Sequence, residues 1–350
     1  MSPHCPYFGR CGGCQYETEE EAHGFLVIAE KIHQRIKGVF GESIACEIFP
    51  SEPSIHYRRR LQLRMHCAPE QSLVGFFAHG TRSLIPIDEC LIAKPAINSV
   101  VKTLQSFRSN ESGRFRIYID DFDDQTHPRS IVRFEAAPAS SALSARLKEH
   151  LAAYAFDEAL VWCKEDRLFV DPRGFRQVNA AMNHVLRRTL QQKISRLHAK
   201  TMIDVYCGNG NLSLHLEGIA QRVFLESNKH QLAALHANLV HYGIDGDIID
   251  QSLIAASRNN RLSTYDVVLV DPPRSGLGEN LPIIPQIVNQ TMFYVSCNPE
   301  TLIPELAELK AMGFRVRSLS VFDMFPRTGH TEVLVELYQL NHNAPDEQGV

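Results

Sequence analysis

Between residues 201 and 338 the chain alternates short apolar runs with longer amphipathic ones, and this rhythm restricts the fold more than any other feature. Strand-like runs fall at Thr201–Tyr206, Arg222–Glu226, Tyr265–Val270, Met292–Ser296, Phe314–Phe322 and Thr331–Tyr338. Helical stretches lie between them, most clearly Lys229–Tyr242 and Glu300–Met312, and residues 177–198 form another just upstream. Such alternation predicts an α/β fold built on a largely parallel sheet with helices on both faces. Pro304 falls inside the last helix and is expected to kink or restart it.

Upstream the texture changes. Phe25, Ile28, Ile32, Ile36 and Phe40 recur at three- and four-residue steps, predicting an amphipathic helix over 17–40. From 44 to 170 short β-type runs alternate with turns, for example Arg60–His66, Leu73–Phe77, Arg114–Ile119, Ser130–Glu135 and Leu160–Trp162. A chain of 350 residues has room for two such domains. The run His56-Tyr-Arg-Arg-Arg60, continued by Arg64 and His66, is the densest basic cluster. Its alternation with apolar residues lets a strand show arginines on one face, so Arg58, Arg59, Arg60 and Arg64 are candidate phosphate contacts; a solvated strand face is the plainer alternative. Net charge is −4, so nucleic-acid binding has to rest on such a local patch. The acidic segment Asp120-Asp-Phe-Asp-Asp124 reads as a solvated turn.

The chemistry-bearing residues cluster where the strand-like runs end. Phe293-Tyr-Val-Ser-Cys-Asn-Pro299 reads as a buried strand, a cysteine and an Asn-Pro helix start, with Asn298 as N-cap and Pro299 at the first helical position. Cys297 therefore stands at a strand's carboxyl end, where open α/β sheets place ligands. The positive end of the helix is expected to favour its thiolate. Asp204-Val-Tyr-Cys-Gly-Asn-Gly-Asn211 is a glycine turn expected to join the first strand to a helix. Glu226 ends the next strand, where an acid can accept both hydroxyls of a ribose. A glycine loop with a ribose acid, and without the three-glycine dinucleotide fingerprint, suits S-adenosylmethionine. Asp271-Pro-Pro-Arg-Ser-Gly276 adds a rigid loop able to hold a flat base, with Arg274 where amine methyltransferases carry an aromatic.

Nine cysteines, an odd number behind an N-terminus with no signal pattern, point to thiol or metal chemistry in a reducing cytoplasm. No apolar run is long enough to span a bilayer, so no membrane role is expected. Cys5, Cys11 and Cys14 crowd the first fourteen residues, with glycines that let the backbone wrap a metal. A fourth ligand is needed for zinc or an iron–sulfur cluster alike. Cys90 is the candidate, because Cys46 and Cys67 lie in strand-like segments.

Five ordered motifs resemble the signature series of the RNA uracil-5 methyltransferases. They are Phe175-Arg-Gln-Val-Asn179, Tyr206-Cys-Gly-Asn-Gly-Asn211, Asp271-Pro-Pro-Arg-Ser-Gly-Leu277, Ser296-Cys-Asn-Pro-Glu-Thr-Leu302 and Phe322-Asp-Met-Phe-Pro-Arg-Thr-Gly-His-Thr-Glu332. The cysteine set resembles the family's iron–sulfur members that act on 23S ribosomal RNA. The resemblance implies Cys297 as nucleophile, Glu332 as general base, and Gln177, Tyr206, Asn211, Glu226 and Asp271 at the cofactor and target base. It also implies Cys5, Cys11, Cys14 and Cys90 as ligands of a 4Fe-4S cluster. The implied fold is a Rossmann-like S-adenosylmethionine-dependent methyltransferase domain, over 17–49 and 175–340. A smaller β-rich RNA-binding central domain over 1–16 and 50–174 would carry the cluster, and 341–350 would be a disordered tail. Two features depart from the 23S pattern: the cysteines begin at residue 5, without the β-barrel domain that precedes them in many relatives, and the Tyr206–Asn211 loop is closer to the transfer-RNA branch. The implied activity is methylation of uridine carbon 5 in 23S rRNA by a monomer, with tRNA as the alternative substrate. An RNA-binding assembly factor without turnover is the non-enzyme alternative; it gives no reason to keep both Cys297 and Glu332.

Overall fold

The computed structural model describes residues 4–17, 20–41, 43–122, 130–154 and 160–339. The expected tail at 341–350 lies outside them. The chain divides into two compact units, one of residues 1–25, 51–184 and 324–329, the other of 26–50, 185–323 and 330–350. Relative to the sequence-based boundaries, residues 17–25, 175–184 and 324–329 group with the β-rich unit. No helix among the described residues is long and apolar enough to cross a membrane.

The larger unit holds an eight-stranded sheet in the order Ala45–Phe49, Phe314–Phe322, Glu332–Gln339, Val288–Ser296, Tyr265–Val270, Thr201–Val205, Gln221–Leu225, Asp247–Ile249. Every pairing is parallel except the two made by Glu332–Gln339, which runs against both neighbours. Seven strands therefore finish at one edge, and the eighth begins there. The central strands are apolar without a break, Val267–Val270 and Met292–Val295 being completely buried, as a sheet covered on both faces requires. The short strand Asp247–Ile249 and the opening of Val288–Ser296 were not legible as strands. The helix Lys229–Tyr242 has the expected bounds; Asn228 caps it through His230 and Gln231 N–H groups, and Gly243 ends it at φ 59°.

Three local expectations are corrected. Pro304 does not restart the helix, which runs unbroken over Pro299–Ala311: it removes one hydrogen bond, and burial of Leu302, Ile303, Leu306 and Leu309 on the same element outweighs that loss. The stretch after the glycine turn makes single turns, with Leu214 N–H donating to Gly210 O at 3.0 Å, and no full helix. Asp120 and Asp121 are not a solvated turn but the buried last residues of a strand, and positions 123–124 lie outside the described residues.

The smaller unit is built on a five-stranded antiparallel sheet in the order Leu84–Pro86, Gln71–Phe77, Arg60–Ala68, Gly113–Asp121, Ser130–Ala136. Leu61, Leu63 and Met65 alternate inward and meet Phe115, Ile117 and Ile119 in one core with the helix Pro95–Ser106. Beside this core lies a buried ionic network. The Arg59 side chain is 0% exposed. It pairs with Asp166 at 2.7 Å and Glu165 at 3.2 Å, and donates to Gln177 O at 2.8 Å. Lys94 joins Glu165 and stands 3.7 Å from Asp121. Arg176 donates to Asp121 O at 2.6 Å and lies over the Phe122 ring. Burial pushes the Asp166 and Glu165 carboxyls up, but Arg59 and its cationic neighbours outweigh it and hold both below the usual range. This stabilisation is present at neutral pH and lost as pH falls through the folded-state values. Arg59→Ala takes from the buried Asp166 its directly paired cation, and should destabilise the protein by about 3–5 kcal/mol near pH 7 in denaturant titrations, less at acid pH.

Candidate active site

The parallel strand ends carry Tyr206, Glu226, Asp271 and Cys297 at one edge of the large sheet. The antiparallel ladder pairs Ser296 with Val333, so one step further sets Cys297 opposite Glu332. These two residues, 35 apart in sequence, are neighbours because a single strand returns against its partner. Asn298 caps the following helix as expected, and its Nδ2 donates to Arg274 O at 2.9 Å. Thr301 Oγ1 donates to the same carbonyl at 3.3 Å, so the cysteine turn and the Pro-Pro-Arg loop are tied together. Arg274 Nη2 lies 3.2 Å from His330 Nδ1.

That loop has a second anchor that sequence reasoning missed. Glu305 is buried and accepts from Gly278 N–H at 2.8 Å and from the Tyr294 hydroxyl. Gly276 sits at φ 78°, and a Cβ there would come 2.4 Å from Glu305 Oε1, so only glycine fits. The available signal was an acid on the apolar stripe Leu302, Leu306, Leu309. At the glycine turn, Tyr206, Gly208 and Gly210 all take positive φ, and a Cβ on Gly210 would meet Leu214 Cδ1 at 2.4 Å.

Glu226 accepts from Gly208 N–H at 3.0 Å and from Ser227 and Asn228 N–H, both at 2.7 Å. A carboxylate offers about four acceptor sites, so Glu226 keeps acceptor capacity beyond these three bonds. Asp204, also missed, is buried and accepts from the Ser213 hydroxyl. Burial, with Asp271 and Glu226 adding, pushes its carboxyl up to about 8. Burial raises Asp271 to about 7, and burial followed by Asp271 holds Glu332 well above the usual carboxyl range. Facing acids in a poorly solvated edge cannot all ionise together.

The Cys297 thiol follows the same rule. Burial, then Glu332 and Asp271, pushes it up to about 11, while Arg274 pulls it down. The expectation of a thiol poised toward thiolate is therefore corrected: burial and two carboxyls outweigh the helix end. Tyr206 lies in the same field, raised to about 12 by burial and then by Glu305 and Glu226. Asn211 is half-buried at the end of the glycine turn. Gln177 belongs to the smaller unit, where its carbonyl holds Arg59.

The sequence model of the tRNA (uracil-5-)-methyltransferases matches residues 164–340, half of the chain. The chain belongs to that family. It is 28% identical over 361 residues to the 23S rRNA (uracil(1939)-C(5))-methyltransferase RlmD of Cronobacter sakazakii, covering 95% of this chain and 80% of that protein. The RlmD of Haemophilus influenzae Rd is 25% identical over 377 residues, covering 95% and 81%. Among solved structures, the Pyrococcus abyssi tRNA (uracil-54, C5)-methyltransferase in complex with S-adenosyl-L-homocysteine superposes with a TM-score of 0.63 at 20% identity. That match covers 89% of this chain and 83% of that one, and gives the fold of a Rossmann-like methyltransferase.

In the smaller unit of this family member, Cys5, Cys11, Cys14 and Cys90 are half-buried free thiols. They are close enough to act on one another: burial, then Cys90, Cys11 and Cys5, pushes Cys14 up to about 12, against Arg327. Burial raises Cys90 to about 11, opposed by the N–H groups of Ile92 and Ala93 and by Arg58, with Cys11 adding. Asn98 clamps Cys90 by accepting from its N–H at 2.9 Å and donating to its carbonyl at 3.1 Å. The tail beyond Cys14 is pinned where Gln15 and Tyr16 N–H donate to Arg327 O at 2.8 and 3.2 Å. Among the described residues no three His, Cys, Asp or Glu side chains close on a single metal ion. Amide N–H groups turn toward two of the four sulfurs, that of Gly13 toward Cys11 and those of Ile92 and Ala93 toward Cys90, a donor set of the kind that thiolate-ligated centres use.

The candidate arginines separate. Arg59 is corrected: it is locked in the buried network, with no guanidinium face left for phosphate. Arg60 is engaged by Asp120, Gly174 O and Pro172 O. Arg58 and Arg64 stay half-exposed, Arg64 lying 5.2 Å over the Phe77 ring.

A thiol titrating near 11 is only about one part in a thousand thiolate at pH 8. Iodoacetamide labelling of Cys297, followed by peptide mass spectrometry, should therefore be slow at pH 7 and climb close to tenfold per pH unit through pH 9. Arg274→Ala should slow it further and Glu332→Gln should speed it; a pH-independent rate would contradict this electrostatic picture.

Proposed function

We propose that this chain transfers a methyl group from S-adenosylmethionine to carbon 5 of a uridine in 23S ribosomal RNA, through a covalent adduct with Cys297. The observation that carries this reading is the register that sets Cys297 against Glu332 at the ligand edge of the sheet, beside Asp271. The substrate assignment is supported by the RlmD relatives, which are named for 23S rRNA and match along four-fifths of their length. tRNA is the second reading, favoured by the family's description and by the Tyr206–Asn211 loop. Mapping of 5-methyluridine by mass spectrometry in both RNAs, with and without the protein, separates them.

S-adenosylmethionine supplies an electrophilic methyl group, and Gln177, Tyr206, Asn211, Glu226 and Asp271 are assigned to holding it and the target base. After its thiol has given up its proton, Cys297 Sγ adds as the thiolate to uracil carbon 6, and the ring's electron pair moves toward carbon 5 and the neighbouring carbonyl oxygen. The carbon 5 pair takes the methyl as the methyl–sulfonium bond breaks and S-adenosylhomocysteine leaves, so carbon 5 carries the new methyl beside its original hydrogen. Glu332 removes that proton, the 5,6 double bond re-forms and the carbon–sulfur bond breaks, returning Cys297. A carboxylate with raised proton affinity suits this step, because once ionised it is a stronger base than an exposed one. The β-rich unit is assigned to RNA binding, and Cys5, Cys11, Cys14 and Cys90 to one 4Fe-4S cluster; a soluble cytoplasmic monomer completes the reading.

Glu332→Gln keeps the shape and removes the base, so addition and methylation should proceed while elimination stalls. The variant should accumulate a protein–RNA species that survives denaturing electrophoresis and requires S-adenosylmethionine, and that disappears when Cys297→Ala is added. Normal turnover in Glu332→Gln would overturn its role as the base.

The cluster has its own test. Protein purified without oxygen should be brown and hold about four irons per chain. Cys90→Ala should lose most of that colour while Cys46→Ala and Cys67→Ala keep it. Stoichiometric zinc without iron would overturn the assignment.

A further inference from the structure

The outward face of the five-stranded sheet carries more basic than acidic side chains. Antiparallel registers set Arg64 opposite Arg116 and His66 opposite Arg114. On the next strand Tyr118 faces Arg133, and Arg116 faces Glu135. Their alternates Leu63, Met65, Phe115 and Ile117 are core residues, so this set points away from the core. Like charges directly opposite on a sheet are destabilising. His66 feels the conflict, its proton affinity lowered by burial and then by Arg114.

A further observation points to an anion. At one end of this face a hollow of about 390 Å³ is lined by Arg58, Arg60, Arg133 and Arg173 with Tyr118, and Glu135 is the one acid among its described lining residues. That acid is taken by Arg116 at 3.2 Å and the Tyr118 hydroxyl at 3.3 Å. On a chain of net charge −4 this is a local reversal of sign.

We propose that this sheet face, with Arg64, Arg114, Arg116 and Arg133 as its contacts, binds the phosphate backbone of the RNA substrate away from the target uridine. The inference rests on the RNA methyltransferase reading above. Contact is to the backbone, not to bases, because the two aromatics on the face are already covered: Arg64 lies over Phe77, and Arg133 stands 4.9 Å over Tyr118. The surface therefore adds affinity with little sequence preference.

The test uses the full chain and an in vitro transcript of 23S rRNA, with binding measured across a salt series. Arg64→Ala with Arg114→Ala should weaken binding roughly tenfold at low salt and reduce the slope of log K against log salt by about 0.7–0.9 per lost contact. KM for RNA should rise while kcat at saturating RNA holds. Glu135→Gln should tighten binding several-fold, by removing the one acid and freeing Arg116, and it carries the test if the arginine variant fails to melt like wild type. Wild-type affinity and slope in these variants would overturn the proposal. If the wild type methylates no RNA yet the variants shift binding as described, the enzymatic reading fails and the surface stands.

Discussion

The catalytic edge depends on one sheet register. Strand Glu332–Gln339 runs against two neighbours in an otherwise parallel sheet, and its pairing of Val333 with Ser296 brings Glu332 level with Cys297. A side chain's face alternates with period two, so a slip of one residue would turn Glu332 to the opposite face. What prevents the slip is that Val333, Leu334, Val335 and Leu337 are buried on both faces of a covered sheet, and each would have to find a new partner. The chemistry is thus positioned by hydrophobic packing several residues away from it.

The same packing sets the electrostatics. Asp204, Asp271, Glu332 and Cys297 share a poorly solvated edge, where Asp271 raises the cost of ionising Asp204, Glu332 and Cys297, and Glu332 that of Cys297. Burial and like charge both disfavour the ionised forms there. Arg274 lowers the proton affinity of the thiol, and its carbonyl is fixed by Asn298 and Thr301. Glu305 secures the other end of that loop through Gly278 and Tyr294. The Pro-Pro-Arg loop is therefore held at both ends from the strand and helix that carry the cysteine turn.

In the smaller unit, neighbouring arginines with the same chemistry do opposite things. Arg59 is enclosed by Asp166 and Glu165 and serves the fold. Arg64, four residues beyond Arg60 on the same strand, faces outward against Arg116. Burial of an acid partner, not the arginine itself, decides between them, since an unpaired buried guanidinium would be costly.

The parallel strands at Thr201–Val205, Gln221–Leu225 and Tyr265–Val270, the helix Lys229–Tyr242 and the cap at Asn298 were legible in the sequence, because periodicity and capping are local properties. So were Cys297, Glu226 and Asp271 as strand-end residues. The four cysteines could be grouped because three are close in sequence and the fourth stood outside the strand-like runs. Sequence could not show that Asp120 and Asp121 are buried, that Pro304 leaves its helix intact, or that the edge raises the Cys297 thiol instead of lowering it. Those outcomes depend on which non-local groups share a desolvated space, and spacing along the chain does not encode that. The Glu305 anchor and the opposed arginines of the small sheet belong to the same class, since tertiary pairing alone brings those residues face to face.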